Sequence, residues 1–112
     1  VDLVSDLVLN NADAERIDLT VVVASVGATV TGTVTEATFI ADMNTLLNVA
    51  ASGFGTTAGI ITAAVVTANA GGLNARSFLA VDLDGSATFT ATDFVIEITG
   101  STVTSLATTT FI

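Results

Sequence analysis

Three aspartates in the second half of the chain have the residue type and spacing of a cation site. In "AVDLDGSATFTATDFVIEITG", Ala80 to Gly100, Asp82 and Asp84 stand two residues apart where a strand should end, and Asp93 precedes the next one. In an extended segment, side chains two residues apart share a face and lie about 6 to 7 Å apart. Bringing Asp93 across a hairpin adds a third like charge, and a bound hard cation would offset the repulsion. The donor set points to the ion. Ca2+ accepts six to eight oxygens with tolerant geometry, Mg2+ tends to keep its waters, and Zn2+ favours His and Cys, which this chain lacks.

Counted from Asp82 as position one of a calcium loop, Asp84 falls at three, Ser86 at five, Thr88 at seven and Asp93 at twelve, the ligand spacing of an EF-hand-type loop. Thr88 would contribute its backbone carbonyl, and Ser86 a hydroxyl or a held water. Asp82, Asp84, Ser86, Thr88 and Asp93 are therefore the expected metal ligands. The loop departs from that pattern in three places. Gly85 stands at four, Ala87 occupies position six where glycine is usual, and Asp93 is shorter than the customary Glu. The flanks read as strands rather than helices, which argues against a true EF-hand. The competing expectation is a solvated turn in which Asp and Gly act as turn formers. Glu97, on the following strand, reads as a solvent-facing residue, and Asp42 as part of a polar helix face.

The elements that must position these residues follow from composition and pattern. A chain of 112 residues suits one domain covering 1–112. With 51% hydrophobic residues and a mean hydropathy of +0.82, it should fold despite a net charge of -9. The apolar residues are mainly Ala, Val, Ile and Leu, interleaved with Thr and Gly. That mixture predicts a mainly β fold, an antiparallel β-sandwich or β-roll-like domain, with one amphipathic helix over about residues 36–50.

In "TEATFIADMNTLLNVAAS", Thr35 can cap the helix, and Phe39, Ile40, Met43, Leu46, Leu47 and Ala50 recur at three- and four-residue spacing. The stripe predicts about four turns packed on a sheet. Before it, Asp2 to Leu9 and Glu15 to Val26 read as two strands joined by a polar turn. Gly27 to Thr35 reads as a short edge strand or a strand-to-helix connection. After it, a strand within Ile60 to Ala68, a turn at "NAGGLN" and a strand from Ser77 to Asp82 form a hairpin region. Phe94 to Thr99 alternates as a half-buried strand does. The apolar end, Phe111 and Ile112, is expected to be tucked into the core or recognised by a partner.

Charge and residue inventory narrow the function classes. Eleven acidic residues against Arg16 and Arg76 give a negative field that repels nucleic acid and anionic lipid and attracts cations. No stretch of about 18 apolar residues runs unbroken, so no membrane span is expected. The absence of Cys suits either a reducing compartment or an extracellular protein without disulfides. No catalysis is expected, because the chain has no His or Cys nucleophile and neither a GxSxG elbow nor a phosphate loop. Asp82 and Asp84 are too close in sequence to flank a sugar, and there is no Trp or Tyr to stack one.

Two segments carry a family resemblance. "VSDLVLNNADAERIDLT" resembles the entry from calcium-dependent repeats-in-toxin (RTX) β-rolls into their C-terminal domains. "ARSFLAVDLDGSATFTATDFVIEITG" resembles the hairpin near the end of those domains. No "GGxGxD" nonapeptide occurs, since "NNADAERID" has Asn and Ala in place of the glycines. The resemblance implies the C-terminal part of a bacterial cell-surface protein exported by type I secretion without a cleaved N-terminal signal, folding outside the cell on binding Ca2+. The start at Val1 agrees with a processed chain or a fragment. By the same resemblance, Asp13 and Asp18 are candidates for a second calcium site.

The expected function is thus a non-enzymatic, calcium-binding structural domain that is extracellular or at the cell surface. The alternatives are a self-assembling subunit of a filament or surface layer, or an adhesin module that binds a glycan or another surface protein.

Overall fold

A computed structural model of the chain describes residues 1–9, 16–49, 52–54, 58–103 and 106–112. The centre of the fold is strand β5, Thr62–Ala70, which follows β1 (Asp2–Leu3), β2 (Val8–Leu9), β3 (Ser25–Val26), β4 (Val30–Thr33) and helix α1 (Phe39–Leu47). Small and β-branched residues dominate "TAAVVTANA", as suits a strand covered on both faces. Its residues Thr62 to Val66 and Ala68 are buried.

The expected hairpin follows. β6, Ser77–Val81, returns antiparallel with Val66 opposite Phe78 and Ala64 opposite Ala80. Gly71 turns the chain at φ +85°, and a Cβ there would come within 2.5 Å of the Val34 carbonyl oxygen. β7, Phe94–Glu97, adds antiparallel to β6 with Leu79 opposite Ile96.

Parallel strands complete the sheet. β3 and β4 lie along one edge of β5, with Ser25 opposite Thr62 and Val30 opposite Val66. β1 lies along the outer edge of β7, with Asp2 opposite Ile96. The result is an open six-stranded sheet in the order β1-β7-β6-β5-β3, with β4 also on β5. β2 pairs parallel with β8, Thr102–Val103, in a separate two-stranded sheet.

Since β4 and β5 are parallel neighbours, the chain between them must cross over a face of the sheet, and α1 is that crossover. Met43 and Leu47 of α1 are buried with Val34, Val66, Ala68 and Phe78, and the Phe39 ring meets the Phe78 ring edge-on at 5.2 Å between centroids. Gly32 matters here, because a Cβ on it would collide with the Leu46 side chain. On the opposite face Ala63, Val65, Leu79 and Val81 join Val23, Ile98 and Phe111, with Leu7, Ile17 and Val103 packed against them. The protein is mainly β, with one α-helix among the described residues, as expected, and is consistent with a sandwich. The sheet is mixed rather than antiparallel throughout.

Several local expectations are corrected. The helix spans nine residues instead of about 36–50 and starts after Thr38, not Thr35. Ala50 lies outside the described residues, and Ile40 is exposed rather than part of the buried stripe. Asp42 is more than a solvated helix residue. Its Oδ2 accepts the Thr35 N–H at 2.9 Å, the Thr35 hydroxyl at 3.0 Å and the Thr38 hydroxyl at 2.7 Å. These bonds, that from Thr38 first, hold its carboxyl below the usual range and fasten the segment ahead of the helix.

Asp2 to Leu9 is not one strand but β1 and β2 in separate sheets, and of Glu15 to Val26 the described residues form only the isolated Ile17 bridge and β3. β1, β2 and β3 each pair in parallel with a distant segment. Glu97 is not solvent-facing, since its side chain is 12% exposed and lies 3.7 Å from the Arg76 guanidinium. At the C-terminus Phe111 is buried and bridged to Ile17, whereas the Ile112 side chain is exposed and its backbone N–H donates to the Ile17 carbonyl at 2.9 Å. No helix among the described residues is long and apolar enough to cross a membrane.

Candidate metal centre

Antiparallel register brings the acidic residues together. Val81 of β6 is opposite Phe94 of β7, so Asp82, one residue beyond β6, meets Asp93, one residue before β7. The Asp82 N–H extends the sheet by donating to the Thr62 carbonyl at 2.9 Å. Asp84 follows in the turn that begins to close the loop. One carboxylate oxygen from each of Asp82, Asp84 and Asp93 lies within 4.8 Å of the others. Asp82 is 1% exposed and Asp93 9%, while Asp84 faces solvent.

That spacing suits a shared ion. Oxygens bound to one Ca2+ at about 2.3 to 2.6 Å can be separated by no more than about 5 Å. The donors are all oxygen, which suits Ca2+ and disfavours Zn2+. Solvent-facing Asp84 marks the side on which water would complete the coordination.

Backbone N–H groups already orient the carboxylates. Asp82 Oδ1 accepts the Ser86 N–H at 3.2 Å, and its Oδ2 accepts the Ala87 N–H at 2.9 Å. Asp93 Oδ1 accepts the Leu83 N–H at 3.0 Å, and its Oδ2 accepts the Thr90 N–H at 2.9 Å. Among the described residues, no buried side-chain nitrogen or oxygen lacks a hydrogen-bond partner. One N–H bond leaves a carboxylate oxygen with further acceptor capacity, so these bonds aim the groups without exhausting them.

Ser86 and Thr88 bond to each other in the loop beside the carboxylates. The Ser86 N–H is shared between Asp82 and Asp84 Oδ1, the latter at 3.1 Å, while its hydroxyl donates to the Thr88 carbonyl at 3.1 Å. The carbonyl expected to face an ion thus holds a neighbouring hydroxyl. The two residues stiffen the loop beside the three aspartates. Ala87, at the position where such loops use glycine, adopts φ +67°, the conformation glycine favours there.

Electrostatics single out Asp82. Burial pushes its carboxyl up to about 6, helped by a hydrogen bond with Asp84 and by the negative charge of Asp93, while the Ala87 and Ser86 N–H groups oppose the rise. No guanidinium or ammonium is among the groups acting on it. Asp84 moves the other way, held below the usual carboxylate range by hydrogen bonds from Ser86 and then Asp82.

The second-site candidates do not join this cluster. Asp13 lies outside the described residues, and Asp18 is exposed near the Ile17–Phe111 bridge. Among the described residues, Asp82, Asp84 and Asp93 form the one group of three acidic side chains close enough to share an ion.

Sequence reasoning did not find Asn44, whose Oδ1 accepts the Phe89 N–H at 3.1 Å across 45 positions. Nor did it find Gly59, whose N–H donates to the Gly85 carbonyl at 2.6 Å. Neither residue carries a local signal, since each meets the loop only through the tertiary fold. Comparison of the chain with protein-family models, curated proteins and solved structures yields no match.

Proposed function

We propose that this chain is a non-enzymatic structural domain in which Ca2+, bound by Asp82, Asp84 and Asp93, ties the end of β6 to the start of β7. The observation that carries this reading is the approach of the three carboxylates to within 4.8 Å, two of them buried. Ser86 and Thr88 support the loop. Setting in a secreted or cell-surface bacterial protein of RTX type rests on the two sequence segments that resemble that family. An outer compartment, where Ca2+ is abundant, fits the weak affinity expected of a loop with three carboxylates and an open side.

The test is thermal unfolding with Ca2+ and then with chelator. Ca2+ at 100 times its dissociation constant adds about 2.7 kcal/mol. That corresponds to a rise in Tm of about 10 °C for a domain of this size. Equal melting temperatures would rule out the reading.

A second reading, assembly into a filament or surface layer, draws on the sheet edge. β1 is two residues long, and Val1 and Leu3 beside it are 68% and 58% exposed. Exposed apolar residues at an uncovered sheet edge favour association, although so short a strand offers a partner few backbone pairing groups. Sedimentation as a compact monomer at every concentration would exclude it.

A further inference from the structure

The loop that carries the aspartates also carries a core residue of the helix layer. Phe89 lies between Ala87, whose N–H is held by Asp82, and Thr90, whose N–H is held by Asp93. Phe89 is 2% exposed and belongs to the same buried cluster as Met43 and Leu47 of α1, Phe54 and Phe78. Its N–H donates to Asn44 Oδ1, on the helix itself, at 3.1 Å. The two anchoring carboxylates therefore bracket the segment on which α1 sits.

The helix depends on that seat. Nine residues form a helix too short to persist alone in water, where about 12 to 15 are needed even for favourable sequences. Its first turn has no side-chain cap from Thr38. Packing must hold it, against β4 and β5 on the sheet and, through Asn44 and the shared core, against the segment that carries Phe89.

From this arrangement we infer that Asn44 is a positioning residue for the cation loop, and that Ca2+ binding and docking of α1 are coupled through the Phe89–Asn44 contact. This rests on the calcium reading of the three aspartates. When the ion draws the carboxylates together, the bracketed segment is fixed, Phe89 stays in the core and its N–H meets Asn44. When like charges push Asp82, Asp84 and Asp93 apart, Phe89 loosens and α1 loses its seat. Linkage makes the effect reciprocal, so a docked helix must also tighten the ion site.

The experiment uses the whole chain with Ca2+ as the probe. In the native protein, amide exchange is followed with Ca2+ and with chelator. The coupling predicts that Ca2+ slows the Phe89 amide and the α1 amides together. In parallel, Ca2+ affinity is measured for Asn44→Ala and Asn44→Asp. Loss of the acceptor in Asn44→Ala weakens Ca2+ binding about tenfold, the effect of roughly 1.4 kcal/mol from one lost, partly buried hydrogen bond. Asn44→Asp, which keeps an acceptor oxygen, binds at least as tightly as the native chain. The inference is overturned, with the calcium reading intact, if Ca2+ binds but leaves α1 exchange unchanged. Equal destabilisation of Asn44→Ala with and without Ca2+ overturns it too. If the native chain does not bind Ca2+, both fall together.

Discussion

Asp82 Oδ2 accepts the N–H of Ala87 at 2.9 Å and so stabilises a non-glycine residue at φ +67°. A buried carboxylate five positions upstream thus holds the backbone turn at Ala87. The same oxygen pair that would face an ion also shapes the backbone around it, so loop conformation and ion binding are hard to separate by deleting the carboxylate.

Substitution at Ala87 separates them. An L-residue in this left-handed region is disfavoured by about 1 to 2 kcal/mol, part of which glycine loses again in chain entropy. Ala87→Gly is therefore expected to raise stability by up to about 1 kcal/mol. Ala87→Val, β-branched at positive φ, is expected to lower it by more than about 1 kcal/mol. Denaturant unfolding of the two variants checks both signs.

Asp82→Asn distinguishes an ion site from a structural turn. Its amide oxygen can take the Ala87 N–H, and its NH2 can donate to Asp84, whose Oδ1 still accepts the Ser86 N–H. In chelator at pH 7 the variant is expected to be within about 1 kcal/mol of the native chain, because it replaces a buried charge with a neutral, paired group. In Ca2+ only the native chain gains stability. Melting curves for both proteins under both conditions read this directly.

The pH dependence at Asp82 in the metal-free chain has a definite sign. Asp82 titrates near 6 when folded and near the ordinary aspartate value of about 3.9 when unfolded. At Asp82 the folded state therefore binds more protons between these values, so the contribution of this group is full below about pH 4 and is lost as pH rises through about 6. The lowered carboxyls of Asp84 and Asp42 act in the opposite direction, losing stability as pH falls. With Ca2+ the trend at Asp82 reverses, because protons compete with the ion for the same oxygens. Unfolding midpoints from pH 4 to 8, with chelator and with Ca2+, test both directions.

Much of the β5-β6-β7 meander is legible in the sequence, because its interactions are local. Alternating apolar residues, the Gly71–Gly72 turn and the pair of aspartates at the strand end all act within about 35 residues. The cluster of Asp82, Asp84 and Asp93 is legible for the same reason, since hairpin register alone brings 82 beside 93. The parallel strands are not. β1 and β2 are two residues long, too short to show any period, and their partners stand more than 90 positions away. The helix is shorter than its pattern at the start because Asp42 bonds Thr35 and Thr38 in a turn ahead of it, a contact that apolar spacing does not register. Alternation alone makes Glu97 solvent-facing, whereas the fold sets it beside Arg76 in a cavity that Phe39 and Phe78 also line.

The most direct test of the account is calorimetric titration of Ca2+ into the intact, chelator-treated chain and into Asp93→Ala. The account predicts saturable binding of one ion at the Asp82–Asp93 loop by the native chain and loss of that binding in the variant. No binding heat in the native chain, or the same affinity after Asp93 is replaced, would contradict it.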